Sequence, residues 1–189
     1  MAIAITPHFT EAEVLKDSGA KQIPTQLLNG IRAQAQVLEA VRTTIGGKPV
    51  TVTSWYRTPE KNAKTPGSSP RSPHMVGRGT DIKVSGMTPR QVMTALNNVG
   101  LQGLGIDQAI EYATHVHIGT REGSARGQAL IRDITTETGY SPWKPDGKAP
   151  VGTEESTAKG AAKAMGWIAV AAAAVEVLSK LLEAFKGIR

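Results

Sequence analysis

Cysteine is missing from the chain, which excludes disulfides, thiolate-bound zinc, iron–sulfur clusters and a thiol nucleophile together. Aromatics are scarce, with two Phe, three Tyr and three Trp in 189 residues, so a core must be built from Val, Ile, Leu and Ala with a few ring anchors. Long apolar runs are lacking too. The longest charge-free stretch near the C-terminus, Ala164 to Val175, falls well short of the roughly 20 residues needed to span a bilayer. Met1 to Thr10 carries no Lys or Arg and has only a brief apolar start, so no secretory signal is expected. No Gly-rich phosphate loop of the Walker type occurs.

What is present suits one globular domain with an extension: 40% apolar and 20% charged residues, a formal charge of +6 and a pI near 9.7. That charge favours encounters with polyanions, among them nucleic acid, anionic lipid and bacterial wall polymer. The arginines at 121, 126 and 132 are scattered rather than laced with aromatics in one stripe, so nucleic-acid binding is not expected.

Thr10 before an acidic turn, with Glu13 three residues on, reads as a capping box opening a short helix. Leu27, Leu28, Ile31, Ala35, Leu38 and Val41 recur at helical spacing down to Gly46 and Gly47, which predicts a long amphipathic helix. Pro49 to Trp55 and Thr80 to Val84 read as strands, Thr88-Pro89 starts a helix with Val92, Leu96 and Val99 on one stripe, and Thr114 to Gly119 alternates like a strand. Thr58 to Pro73 reads as a loop. The expected fold is α+β, a small antiparallel sheet flanked by helices, occupying residues 1–140. Residues 141–158 have the Pro, Gly and small polar content of a linker, and residues 159–189 form an Ala-rich helical tail with dispersed Lys.

Residues suited to holding or serving a divalent ion fall in two clusters, His74 with Asp81 and Glu111 with His115 and His117. Two histidines and one carboxylate supply three ligands and leave a position open, as a catalytic zinc requires, and His74, Asp81 and His117 make such a set. Alone, a His and an Asp seven apart is more often a loop histidine and a turn aspartate. On one strand, His115 and His117 point the same way, so one can ligate while the other stands beside the attacking water. Gly77 and Gly79 permit the sharp turn between His74 and Asp81.

The segment SPHMVGRGTD resembles the first zinc motif of the D-Ala-D-Ala peptidases of the M15 class, and EYATHVHIG is similar to the H-x-H signature that these enzymes share with lysostaphin-type enzymes and the hedgehog domain. The resemblance spans about residues 8 to 121. It implies one zinc per chain on His74, Asp81 and His117. TSWYRTPEKN is similar to the S-x-Y-R segment of the class, which implies a substrate clamp at Arg57 with Tyr56 and Ser72 beside it. The chain has Thr114, not Glu, three before His117, so the general base stays open between Glu111, at hedgehog-like spacing, and His115.

The implied activity is a zinc metallopeptidase acting on bacterial peptidoglycan stem peptides or crosslinks, as a phage endolysin or a virion-associated wall peptidase. An inactive zinc-holding wall-binding or virion protein is the alternative. Without a signal, release from the host cytoplasm or packaging in a virion is the expected location. Residues 159–189 are expected to pack on the domain or to touch an anionic membrane or a virion protein.

Overall fold

The computed structural model describes residues 3–149. The tail helix, and the part of the linker from residue 150 onward, lie outside the described residues. Among these, no helix is long and apolar enough to cross a membrane.

Helix α1 (Glu11–Leu15) opens with both halves of the capping box, Thr10 accepting from the Glu13 backbone and Glu13 from that of Thr10. Helix α2 (Leu28–Thr44) buries Ile31, Ala35, Leu38 and Val41, the stripe its spacing predicts. It stops at Gly46 and Gly47, both with positive φ. Strand β1 (Val50–Ser54) follows, and then the loop read from composition contains a short helix, α3 (Pro59–Ala63), capped by Thr58. A 3-10 turn at Pro73–Val76 leads into β2 (Gly79–Val84) and α4 (Pro89–Val99). In α4, Val92, Met93 and Leu96 are buried, whereas Val99, expected on that stripe, is 60% exposed at the frayed end before Gly100.

Strands β3 (Gln108–Glu111), β4 (Val116–Gly119), β5 (Gln128–Arg132) and β6 (Tyr140–Pro142) complete a six-stranded sheet in the order β1-β2-β4-β3-β5-β6. All pairings are antiparallel except β3 with β5. The fold is therefore α+β, as expected, with three strands, β3, β5 and β6, that the sequence pattern did not mark.

Those last strands correct the linker boundary. Ser141 and Pro142 pair with β5, Trp143 is 7% exposed within the core, and the carbonyls of Lys144, Pro145, Gly147 and Lys148 accept from Arg90 on α4. Pro142 lies on an edge strand, where its missing N–H costs no ladder bond, and Gly147 donates its N–H to the Lys144 carbonyl in the turn after it.

Register decides which side chains share a face. Ser54, Asp81, His117 and Ile110 lie opposite one another across β1, β2, β4 and β3, and the last three line a groove. The alternate residues Thr80, Ile118 and Ala109, with Ile82, Val116 and Glu111, face the helices. Gln34 of α2 fixes the helical layer there, donating to the Ile118 carbonyl at 2.9 Å and accepting from Thr120 at 2.9 Å.

Candidate metal centre

Cross-strand pairing sets Asp81 beside His117, and the 3-10 turn brings His74 over both. Ser72 caps that turn by accepting the His74 N–H, and Gly77 closes it in the left-handed region at φ 69°. A Cβ on Gly77 would meet Ile31 at 2.5 Å, so both conformation and space demand glycine there. Gly79 serves differently. Its φ is ordinary, but a Cβ would sit 2.9 Å from the His74 nitrogen and 3.1 Å from His117 Cε1, so the bare backbone is what lets the two imidazoles meet.

The donor atoms converge. His117 Nδ1 lies 2.9 Å from Asp81 Oδ1 and 3.2 Å from His74 Nε2, which is 3.4 Å from the same carboxylate oxygen. Ligands at about 2.0–2.1 Å from a tetrahedral ion are separated by about 3.3 Å, so these spacings fit one. His74 Nδ1 donates to the Trp55 carbonyl at 2.6 Å, which leaves Nε2 with its lone pair aimed into the cluster. Trp55 in turn donates its indole N–H to the Gly77 carbonyl at 2.9 Å and so holds the turn. A carboxylate and a bare imidazole nitrogen facing one point are the donor set of a cation, and His74, Asp81 and His117 could hold a metal ion.

Electrostatics agree with that assignment. Burial alone would raise the Asp81 carboxyl, but hydrogen bonds from His117 and His74 outweigh it and hold the group well below the usual carboxylate range. Burial also lowers the His74 imidazole, favouring the neutral, ligating form despite the opposing pull of Asp81. Arg57 donates to the far oxygen of Asp81 at 2.6 Å and to Ser54 at 2.8 Å, leaving Oδ1 for the cluster.

His115 stands at the edge, half-buried, its Nε2 3.9 Å from Asp81 Oδ1. Its ring stacks on Tyr112 with centroids 4.4 Å apart and planes 9° from parallel, and Nδ1 lies 3.2 Å from Thr114 Oγ1. Burial, first among several influences, lowers its basicity. Tyr112 is itself tied to Tyr140 through hydroxyls 3.1 Å apart. Neither tyrosine was singled out from the sequence, since only the β3–β4 turn and β6 bring them to the histidine.

Glu111 is a correction. It lies on the opposite face of the sheet, 3% exposed, and does not line the groove. Its carboxylate accepts from Arg90 Nε at 2.8 and 3.0 Å and from the Trp143 indole. Burial pushes it up despite those donors. Placed there, it faces Arg90 and Trp143 and not the triad. Tyr56 is corrected as well: at 5% exposure it belongs to the core, not to the groove. Arg57 and Ser72 do line the groove, although both are engaged in holding other site residues.

The groove encloses about 1080 Å³ and is bordered by the loop at residues 65–73, the triad, His115, Tyr112 and β5. Two histidines and one carboxylate that could hold an ion, open to a groove and flanked by a further imidazole, suit a metallohydrolase type of centre. Residues 7–119 match the family Peptidase M15, and the chain belongs to that family. No curated protein matches the chain.

The place of Glu111 gives a first expected result. Glu111→Gln should leave metal content and turnover near those of the unaltered protein, because it removes no groove atom. Stability should change by only about 1 kcal/mol, since Arg90 keeps its carbonyl acceptors. A fall of about 10²-fold or more in turnover, at normal metal content, would restore Glu111 as the base.

Proposed function

We propose that the protein is a zinc metallopeptidase that hydrolyses a peptide bond in bacterial peptidoglycan. The single observation carrying this reading is the convergence of His74, Asp81 and His117 within 4.8 Å at the floor of an open groove, in a chain of a peptidase family. Two imidazoles with one carboxylate suit zinc among divalent ions, and the bound ion would polarise the scissile carbonyl. His74, Asp81 and His117 would hold it, with Arg57 fixing the orientation of Asp81 through its second oxygen.

His115 takes the part of general base. Its Nε2 faces the triad while Nδ1 is turned to Thr114, so Nε2 is the atom that removes a proton from the attacking water and returns it to the leaving amine. Stacking on Tyr112 keeps the ring from turning away. Arg57, which lines the groove and whose Nη1 is not used by Ser54 or Asp81, completes the set as a clamp for the carbonyl or carboxylate of the substrate.

A groove rich in arginine and open to solvent suits an extended anionic polymer more than a small buried ligand, which favours peptidoglycan stem peptides. In that setting the chain acts as a phage endolysin or virion-associated wall peptidase, and residues 159–189 supply contact with an anionic membrane or a virion protein. Incubation of the purified chain with peptidoglycan, followed by mass spectrometry of the released fragments, tests the reading. New amine and carboxyl ends are expected, lost on chelation and restored by zinc. Intact peptidoglycan after incubation with the zinc-loaded protein would overturn it.

A further inference from the structure

Most cations of the groove are already matched. Arg57 bonds Asp81 at 2.6 Å, Arg78 bonds Glu122 at 3.2 Å, and Arg126 bonds Asp107 at 2.6 Å. Arg71 and Arg132 alone among the groove arginines have no carboxylate within 4.0 Å among the described residues, and of the two Arg71 is exposed whereas Arg132, on β5, is half-buried. Burying a guanidinium without a counter-charge is unfavourable unless something else holds it.

Two features hold it. Nη1 donates to the Gly139 carbonyl at 2.9 Å, and the guanidinium carbon lies 5.0 Å from the Tyr140 ring centroid. Gly139, at φ 73°, leaves room for this, because a Cβ there would collide with Nη1. The head group is thus fixed against Gly139 and Tyr140 while its Nε and Nη2 edge has no acceptor among the described residues. An unbonded Nε–Nη2 edge is the half of a guanidinium that takes a planar carboxylate through two parallel hydrogen bonds.

We propose that Arg132 is an anchor for a free carboxylate of the peptide substrate, at a subsite joined to the triad through Tyr140, Tyr112 and His115. The assignment of that carboxylate to a substrate rests on the peptidase reading above. Arg132 and Tyr140 lie beyond residue 119, where the family match ends.

The test uses the full-length, zinc-loaded protein. The Arg132 Nε–H resonance, assigned by its loss in Arg132→Gln, is followed during titration with acetyl-glutamyl-alanine and with the diamide of that peptide. The resonance should move with the carboxylate peptide and respond about tenfold less to the diamide. A still resonance, or equal response to the diamide or to inorganic phosphate, would overturn the proposal. In hydrolysis assays, converting the free carboxyls of peptidoglycan to carboxamides should raise KM for the unaltered protein about tenfold with little change in kcat. Arg132→Gln should be indifferent to that conversion, and Arg132→Lys should retain part of the preference. Equal loss on both substrates in Arg132→Gln would make the residue merely structural and refute the anchor. Should peptidoglycan stay uncut while the resonance moves, the peptidase reading falls and the carboxylate site stands.

Discussion

Replacing His117 or Asp81 by Ala should strip the bound metal and abolish hydrolysis together, whereas His115→Ala should keep the metal and lower turnover by roughly 10²- to 10⁴-fold. The contrast follows from which nitrogen reaches the cluster. His117 Nδ1 is 2.9 Å from Asp81 Oδ1 and 3.2 Å from His74 Nε2, inside the ligand shell, while His115 Nε2 stays 3.9 Å from that oxygen and is pinned by Tyr112. Asp81 has the further burden of engaging Arg57 through its other oxygen. Asp81→Asn should therefore fail nearly as badly as Asp81→Ala, because the amide neutralises the anion and can offer its NH2 group to the site. Metal analysis of the purified variants beside their rate on peptidoglycan decides the matter. Full metal in His117→Ala would exclude that residue as a ligand, and loss of metal in His115→Ala would mean that the two histidines exchange roles.

Much of this centre is legible from spacing, because local rules govern it. The capping box at Thr10, the helix start at Thr88-Pro89, the stripe of α2 and the turn between His74 and Asp81 each depend on residues close in sequence. The misplacement of Glu111 has an equally definite cause. Four residues before His115, it looks near in the chain, but a hairpin intervenes. The Tyr112 N–H donates to the His115 carbonyl, so 112 faces 115, 111 faces 116 and 110 faces 117. Ile110 therefore shares the face of His117, and Glu111 turns away with Val116. Recognising Ala113-Thr114 as the hairpin loop would have given that answer, although neither residue is a strong turn former.

The far side of the sheet was hidden for another reason. Strands β5 and β6 are short, and β6 contains Pro142, so neither period nor propensity marks them. They exist because β3 offers an edge to β5 in parallel, a pairing between distant segments that no local pattern reveals. Arg132 and Tyr140 reach the groove only through that pairing. A half-buried arginine and a tyrosine hydroxyl carry no signature in sequence, and their meaning comes wholly from the neighbours that the sheet provides.

Trp143 shows how strongly the segment after β6 belongs to the domain, and Trp143→Ala should cost about 3–5 kcal/mol of stability. The indole is 7% exposed, lies under the Arg90 guanidinium at 5.5 Å, and donates to Glu111. Trp143→Phe separates packing from that hydrogen bond, keeping most of the apolar contact and losing the N–H. Glu111 then retains only Arg90 as a donor, and its pKa, already raised by burial, should climb further. A carboxyl with a raised folded pKa binds its proton more tightly in the folded chain than in the unfolded one. Stability therefore declines as pH rises from the ordinary carboxylate value, 4.5, through the raised one. The penalty of Trp143→Phe should accordingly be greater at about pH 7 than at about pH 4, where the carboxyl is mostly protonated in both states. Denaturant unfolding of the unaltered protein, Trp143→Phe and Trp143→Phe/Glu111→Gln at the two pH values measures this, with the added glutamine expected to erase the difference. A Trp143→Phe penalty independent of pH would show that the indole stabilises the fold by packing alone, with its hydrogen bond to Glu111 contributing nothing.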